Sequence, residues 1–288
     1  MKKTLLSVLA GLAIIGTVSA QEDSRVIGTT TNKGANILPA AGDIAIGIDA
    51  VPFLEYAGNI FTDSYNNAPD FQGPNSFLGG NNTLYGKYFL TDKSAVRARL
   101  SFDFRSQSET RLVQDDVALA ADPTSDAEVT DKYTEKNNYV EIGAGYELRR
   151  GYGRLQGFYG AEAFVGFGSS SEKYSYGNAI TSTNTNPSNA FGFGPQRPTS
   201  VKDGNLFLVG VGGFAGVEYF IAPKISLGGE VGASIITGRQ KGQKETTEEW
   251  DAANSVVKTE TDDNSKEKTG GFDFGTRANG RIMLTFHF

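Results

Sequence analysis

Residues 272–288, with the sequence FDFGTRANGRIMLTFHF, decide the fold. The even-numbered residues of this stretch are apolar or small, whereas the odd-numbered ones are mostly polar and include Arg277 and Arg281. A period of two places the two sets on opposite faces of one β-strand. At roughly 3.3 Å per residue this strand would exceed about 50 Å, well beyond a usual globular strand. The pattern predicts a tilted strand that crosses a membrane and continues past it.

Seven earlier segments repeat this alternation, which makes eight predicted strands. They lie at residues 43–49, 84–90, 96–105, 140–148, 155–167, 207–219 and 225–235. Three connections are short (91–94, 149–153 and 221–224), and four are long and polar (57–83, 114–132, 177–202 and 240–270). Short turns at one end and long loops at the other are typical of barrels in bacterial outer membranes.

The predicted fold class is therefore all-β, a single antiparallel up-and-down transmembrane β-barrel over residues 42–288 with four long extracellular loops. Eight strands are the leading count, and ten remain open if residues 26–38 or part of a long loop pair in. A soluble β-sandwich would also alternate, but it does not explain the short-and-long loop rhythm or the strand length.

The N-terminus predicts export. Two lysines are followed by an apolar run over residues 5–18 and by small residues up to Ala20. This is the pattern of a cleaved signal peptide over residues 1–20, because roughly 14 apolar residues are fewer than the about 20 that a membrane helix needs. Residues 21–41 are then a periplasmic N-terminal segment. Losing Lys2 and Lys3 lowers the net charge from −6 to −8, which disfavours a nucleic-acid partner.

The mature chain resembles the small outer-membrane barrels of the OmpA/OmpX type. The resemblance lies in the signal peptide, the absence of cysteine, the alternating strands and the ending RIMLTFHF at 281–288. It implies that the terminal aromatic Phe288, with Phe286 and Leu284 before it, belongs to the signal read by the barrel-insertion machinery. Residues 41–49, AGDIAIGID, followed by PFLEY at 52–56, resemble outer-membrane barrel proteins of Bacteroidetes. Outer-membrane lipid and lipopolysaccharide are then the expected surroundings.

The inward faces carry the candidate site. Basic residues fall mainly on the second, third and last strands, and acids dominate the fourth to seventh, so the two groups should face each other. An eight-stranded barrel is only wide enough for its side chains to fill, so these charges should pair and plug the lumen, with inward glycines leaving room for the arginines. The predicted network comprises Lys87, Arg97, Arg99, Arg105, Arg277, Arg281, Asp49, Asp103, Glu141, Glu147, Glu162, Glu218, Glu230 and Asp273.

Little in the sequence indicates catalysis. The single histidine, His287, lies at the periplasmic end, away from the loop serines, so we interpret it as a polar plug and not as a base. No metal site or cofactor is predicted. Phe191 and Phe193 lie in the third long loop, where they would form a contact patch for a partner or fold back over the barrel mouth.

The predicted function is that of an outer-membrane barrel with a narrow, charge-filled lumen. It would act structurally or by surface interaction and adhesion, through an unknown extracellular partner of its loops. A small-solute or ion porin is the alternative, and an outer-membrane lipid-modifying enzyme comes third.

Overall fold

The computed structural model describes residues 36–49 and 82–288. The predicted signal peptide, residues 21–35 of the predicted periplasmic segment and nearly all of the first long loop lie outside the described residues. The side chains of Asp49, Asn82 and residues 274–281, which include Arg277 and Arg281, also lie outside them.

The described part of the chain forms eleven strands and one helix. The strands are β1 (Ile44–Asp49), β2 (Asn82–Thr91), β3 (Ser94–Gln114), β4 (Glu128–Tyr152), β5 (Leu155–Ser175), β6 (Arg197–Lys202), β7 (Leu206–Ala222), β8 (Ile225–Lys241), β9 (Lys244–Asp251), β10 (Val256–Asp263) and β11 (Lys268–His287). The helix, α1 (Asp116–Ala121), follows β3 and is capped by the Asp115 side chain, which accepts from the N–H groups of Val117 and Ala118.

Eight of the described strands pair antiparallel around a closed ring. The order is β1, β2, β3, β4, β5, β7, β8 and β11, and β11 pairs back with β1. Within this ring, the segments that pair on both sides have no free edge. The predicted all-β, antiparallel up-and-down barrel is confirmed.

The seam between β1 and β11 contains the predicted insertion signal. Phe286 is opposite Ile46 and Leu284 is opposite Ile48, and Phe288 exchanges backbone hydrogen bonds with Ile44, at 2.7 and 3.1 Å. Phe288 is exposed on the outer wall. The end of the last strand therefore places Phe286 and the following Phe288 on the outside of the barrel.

The barrel wall has its apolar face outside. Ile44 and Ile46 are 53% and 50% exposed, whereas Ala45 between them is fully buried. On β3, Val96 and Leu100 are likewise exposed. The charged Arg97 alternates with them and is buried in the lumen. This arrangement is the reverse of a soluble β-protein. Within residues 36–49 and 82–288, no helix has the length and apolar character needed to cross a membrane.

One end of the barrel is closed by the residues before β1. This short-turn end carries the turns 92–93, 153–154 and 223–224. Ile37 and Leu38 pack against Phe220 there. The backbone N–H of Lys224 donates to the carbonyl of Ile37 at 3.1 Å. The described part of the N-terminal segment therefore covers the mouth.

Beyond the opposite end, the chain forms a folded extension where the sequence predicted loops. The β3–β4 pairing continues to Gln114 and Glu128, so residues 104–114 add roughly 35 Å of strand. The strands β6, β9 and β10 join the extended edge of β5 in that order. We use "extension" for these parts together with α1 and residues 176–196. The prediction of loops at 114–132, 177–202 and 240–270 was wrong over their strands.

Candidate functional site: the charged lumen

Arg97 bridges the lumen from wall to wall. Its strand β3 lies opposite β8 in the ring, and its guanidinium donates to both carboxylate oxygens of Glu230, with a distance of 3.0 Å from Nη2 to Oε1. The ring centroids of Tyr85 and Phe214 lie 4.6 and 4.2 Å from Cζ of Arg97. Aromatic faces stabilise a cation through their quadrupoles, most strongly where water is excluded. Arg97 is 1% exposed, so water has almost no access to its guanidinium.

Glu147 joins three cations nearer the short-turn end. Lys87 Nζ lies 3.0 and 2.9 Å from its two carboxylate oxygens. Arg149 Nη1 lies 3.6 Å from Oε1 and Arg97 Nη1 lies 4.0 Å from Oε2. Arg149 also pairs with Glu218 on β7. Burial of such charges is tolerable only because each has opposite charges around it.

Arg99 forms the third group, towards the extension. Its Nη1 lies 2.6 Å from Glu141 and its Nη2 lies 3.0 Å from Glu162. The Tyr139 hydroxyl donates to Glu141 at 2.7 Å. The structure therefore brings together eight residues of the predicted network, namely Lys87, Arg97, Arg99, Glu141, Glu147, Glu162, Glu218 and Glu230.

Arg105 and Asp273 lie outside the packed lumen, so their assignment to it was wrong, whereas Asp103 is half-buried at its open end. Arg105 and Asp103 form an ion pair of 3.7 Å, but the Arg105 side chain is 51% exposed, and Asp273 is also exposed. At Arg105 and Asp273, the strands β3 and β11 extend beyond the closed ring, although the two-residue alternation of the sequence continues there. The side chains of Asp49, Arg277 and Arg281 lie outside the described residues.

Sequence reasoning missed Arg149 and the aromatic filling of the lumen. Arg149 was assigned to a turn, yet β4 continues to Tyr152 and Arg149 is buried over the Phe89 ring, at 5.0 Å. Its position two residues after Glu147 was the available signal. The inward glycines were expected to make room for arginines. Gly143 does lie beside Arg99, but Gly160, Gly210 and Gly216 leave space for the rings of Phe214, Phe164 and Phe158.

His287 is packed between two rings at the short-turn end. Phe89 and Phe220 lie 5.6 and 5.1 Å from it, centroid to centroid. Ser226, on β8, has its Oγ 3.1 Å from Nε2 of His287, a contact that the comparison with the loop serines did not consider. Both side chains are buried.

The two phenylalanines of the predicted contact patch are half-buried in the extension. Phe191 and Phe193 meet the Tyr174 ring edge-on, with centroids 5.5 and 5.3 Å away, and Phe191 also contacts Tyr133 and Tyr176. They therefore do not form a free loop tip. Edge-to-face ring contacts stabilise such a cluster beyond the area it buries.

Buried polar groups connect residues 177–190 of the extension to β4. The Asp131 carboxylate accepts from the backbone N–H groups of Gly177 and Ala190, both at 2.8 Å. Burial disfavours ionisation of Asp116. Hydrogen bonds from the Ser188 backbone and the Asn184 amide nevertheless outweigh it and lower the Asp116 pKa below its usual range. Burial and the Glu172 carboxylate raise the pKa of Tyr174. These contacts indicate a folded region.

Fold and site together define a small closed β-barrel with an apolar outer wall and a lumen packed with paired charges. The chain is similar in structure to the outer membrane protein OprG from Pseudomonas aeruginosa, with 11% sequence identity and a TM-score of 0.30, over 87% of this chain and 98% of OprG. At this TM-score, the likeness carries no weight for function, and the barrel is defined by its strand pairings. No protein-family model and no curated protein matches the chain.

Proposed function

We propose that the protein is a bacterial outer-membrane β-barrel with a sealed lumen, which acts structurally and through surface interaction by its folded extension. The observation that carries the proposal is the burial of Arg97, Glu147 and their ion-pair partners across the lumen. Water-sized space beside these side chains would expose them, so their burial disfavours a conducting path among the described residues. Function is then expected outside the lumen.

The outer wall supports a membrane location. On β5, outward side chains run from Leu155 to Phe167, which is about 40 Å along a strand and about 30 Å in height at a tilt near 40°. Exposed aromatics cluster at both limits of this wall, as membrane interfaces favour. They are Phe104, Phe167, Phe207 and Phe272 at one limit and Tyr88, Tyr152, Tyr159 and Tyr219 at the other.

The partners follow from this location. Outer-membrane lipid would cover the wall, lipopolysaccharide would surround the base of the extension, and the insertion machinery would read Phe288 on the exposed seam strand. We further propose that the protein has no enzymatic activity, because the Ser226–His287 pair is closed off by Phe89 and Phe220. The pair then serves to fill the short-turn end.

Trypsin added to intact cells tests the proposed orientation. We expect cleavage next to Lys202, Lys241 and Lys266, which are exposed and flank the turns of the extension. Lys93, Arg154 and Lys224 lie in the short turns and should be cut only after the outer membrane is permeabilised. The masses of the fragments identify the sites.

A matched variant controls for other cuts. Lys266→Gln combined with Lys268→Gln should abolish the cut near residue 266, join the two fragments that flank it and leave the other cuts unchanged. Cleavage of intact cells at Lys93 or Lys224, with the extension spared, would contradict the proposed orientation.

A further inference from the structure

The extension separates its charges between its two faces. On β4, Lys132 and Lys136 alternate with Asp131 and Glu135. A period of two places the lysines on one face of the strand and the acids on the other. Ile142 shares the face of the two lysines and is exposed on the outer wall of the barrel. The lysines therefore point outward, and the two acids point inward.

The neighbouring strands continue this pattern. Their register places further cations on the outer face, namely Lys173 of β5, Lys202 of β6, Arg239 and Lys241 of β8 and Lys268 of β11. The acids Glu172 and Asp203 are adjacent in sequence to two of these cations and fall on the inner face by the same alternation. Because the whole chain has a net charge of −6, a basic outer face reflects the arrangement of the charges and not the composition.

The outward cations of these strands are exposed and unpaired. Within residues 36–49 and 82–288, Lys132, Lys136 and the five cations of the neighbouring strands form no ion pair. On the inner face, by contrast, Arg111 pairs with Glu109 at 2.7 Å and Lys258 pairs with Glu260 at 2.9 Å. The outward cations are therefore available to an anion from outside the chain.

One group of outward cations spans β8 and β11. Lys241 lies directly opposite Lys268, and Arg239 precedes Lys241 by two residues on the same face. Like charges in directly opposite positions of a sheet destabilise it. A similar pair, Lys202 opposite Lys244, is relieved by Asp263, which lies 3.2 Å from Lys244. We call Arg239, Lys241 and Lys268 the Lys268 group, and an external anion would relieve its repulsion.

The second group surrounds a serine. Ser171 has Lys136 opposite it on β4 and Lys202 opposite it on β6, and Lys173 follows it by two residues on the same face. Neighbouring strands lie about 4.8 Å apart, so these three ammonium groups can reach one anion beside the Ser171 hydroxyl. We call Lys136, Lys173 and Lys202 the Ser171 group.

Both groups lie just beyond the apolar wall. Arg239 is directly opposite Phe207, one of the aromatics at the limit of the wall nearest the extension. Ser171 lies four residues beyond Phe167, another of those aromatics. This spacing corresponds to about 13 Å along the strand and about 10 Å in height at a tilt near 40°. Long lysine side chains can reach back to the headgroups, which extend several ångströms beyond the hydrocarbon core.

We propose that these two groups bind phosphate groups carried by the lipid that surrounds the barrel. Phosphate accepts several charge-assisted hydrogen bonds at once, which suits cations that converge from neighbouring strands. A face that contacts only water usually carries charges of both signs, whereas this face concentrates one sign and places two lysines directly opposite each other. The phosphorylated sugars of lipopolysaccharide supply such anions at the level of the outer headgroups.

The inference rests on the proposed function, because it requires a membrane around the wall with the extension outside. Its test uses purified barrel in a non-ionic detergent, with bound lipid measured by native mass spectrometry. The barrel is titrated with lipid A that carries two phosphates and with the same lipid after removal of both. We expect the phosphorylated lipid to bind at least about 25-fold more tightly, since each cation beside an anionic lipid surface strengthens binding about fivefold.

Two double variants locate the site. Lys136→Gln combined with Lys202→Gln, and Lys241→Gln combined with Lys268→Gln, should each weaken binding of phosphorylated lipid A by about 5- to 25-fold. All four lysines are exposed, so the variants should fold, which far-ultraviolet circular dichroism verifies.

A matched control removes the same charge from the inner face. Arg111→Gln combined with Lys258→Gln deletes two cations that are already paired with acids. Binding of phosphorylated lipid A by this control should stay within about twofold of wild type.

Equal affinity for the two forms of lipid A would overturn the proposal. So would binding that survives both outward variants, or a loss of the same size in the control. Displacement of the lipid by a molar excess of inorganic phosphate equal to that needed by soluble lipid-free headgroup would also contradict it, because the anion would then be a solute and not a lipid.

Failure of this test and failure of the proposed function are distinguishable. Lys266 belongs to neither group, so trypsin cleavage there on intact cells reports the orientation whether or not phosphate is bound. An inverted trypsin pattern would refute the proposed function, even if purified barrel bound phosphorylated lipid A. Loss of the phosphate preference alone would refute only the lipid site.

Discussion

Glu147→Gln is expected to lower the free energy of unfolding by about 3–5 kcal/mol, because removal of one partner leaves buried charge uncompensated. Glu147 is fully buried and neutralises Lys87 and Arg149, with Arg97 at 4.0 Å. Glutamine keeps the shape but removes the charge that these cations require. Urea unfolding in lipid vesicles, with the folded fraction of the barrel read from far-ultraviolet circular dichroism, measures the change.

Glu109→Gln is the matched control. Glu109 also pairs with an arginine, Arg111, at 2.7 Å, but both side chains are 48% exposed. Exposed ion pairs contribute about 0–1 kcal/mol, because water screens them. A loss below about 1 kcal/mol for Glu147→Gln would show that the lumen charges are hydrated, contrary to the structure.

The bridge between Arg97 and Glu230 should show strong coupling in a double-mutant cycle. Glu230→Leu alone leaves Arg97 buried between two rings without its bidentate partner, and we expect a loss of about 3–5 kcal/mol. In the double variant with Arg97→Met, the thioether can pack against Tyr85 and Phe214. We therefore expect the double variant to recover about 2 kcal/mol or more relative to the sum of the two single changes.

Both single variants and the double variant are compared by the same unfolding assay. Additive losses would mean that Arg97 and Glu230 do not interact across the lumen. In that case, the bridge could not be the element that seals it.

The barrel could be predicted from the sequence because a membrane wall forces one face of each strand to be apolar. On β3, Val96, Leu100 and Phe104 alternate with Arg97 and Arg99, and the structure keeps this order. For Arg97 and Glu230, the sequence predicted only that a group of basic residues faces a group of acidic residues, and not that these two residues pair. Which arginine reaches which carboxylate depends on the strand order and on the register between neighbouring strands. The alternating pattern of the sequence does not give that register.

The extension could not be predicted in the same way. Residues 106–114 and β10 have both faces in water, so their sequences carry no apolar period. The third strand was therefore predicted to end at residue 105, and β10 was placed in a loop. The same limit applies to Phe158 and Phe214, since apolar side chains were expected on the outer face and these two fill the lumen. Glycines opposite them were the usable signal, because Gly216 and Gly160 leave room for the two rings.

Single-channel recording in a planar lipid bilayer tests the sealed lumen most directly. The wild-type protein, reconstituted beside a general porin as the positive control, is predicted to give no stable conductance steps above the bare membrane. Reproducible open-channel steps from the wild-type protein would contradict the account, because they would require a water path past Arg97, Glu147 and Glu230.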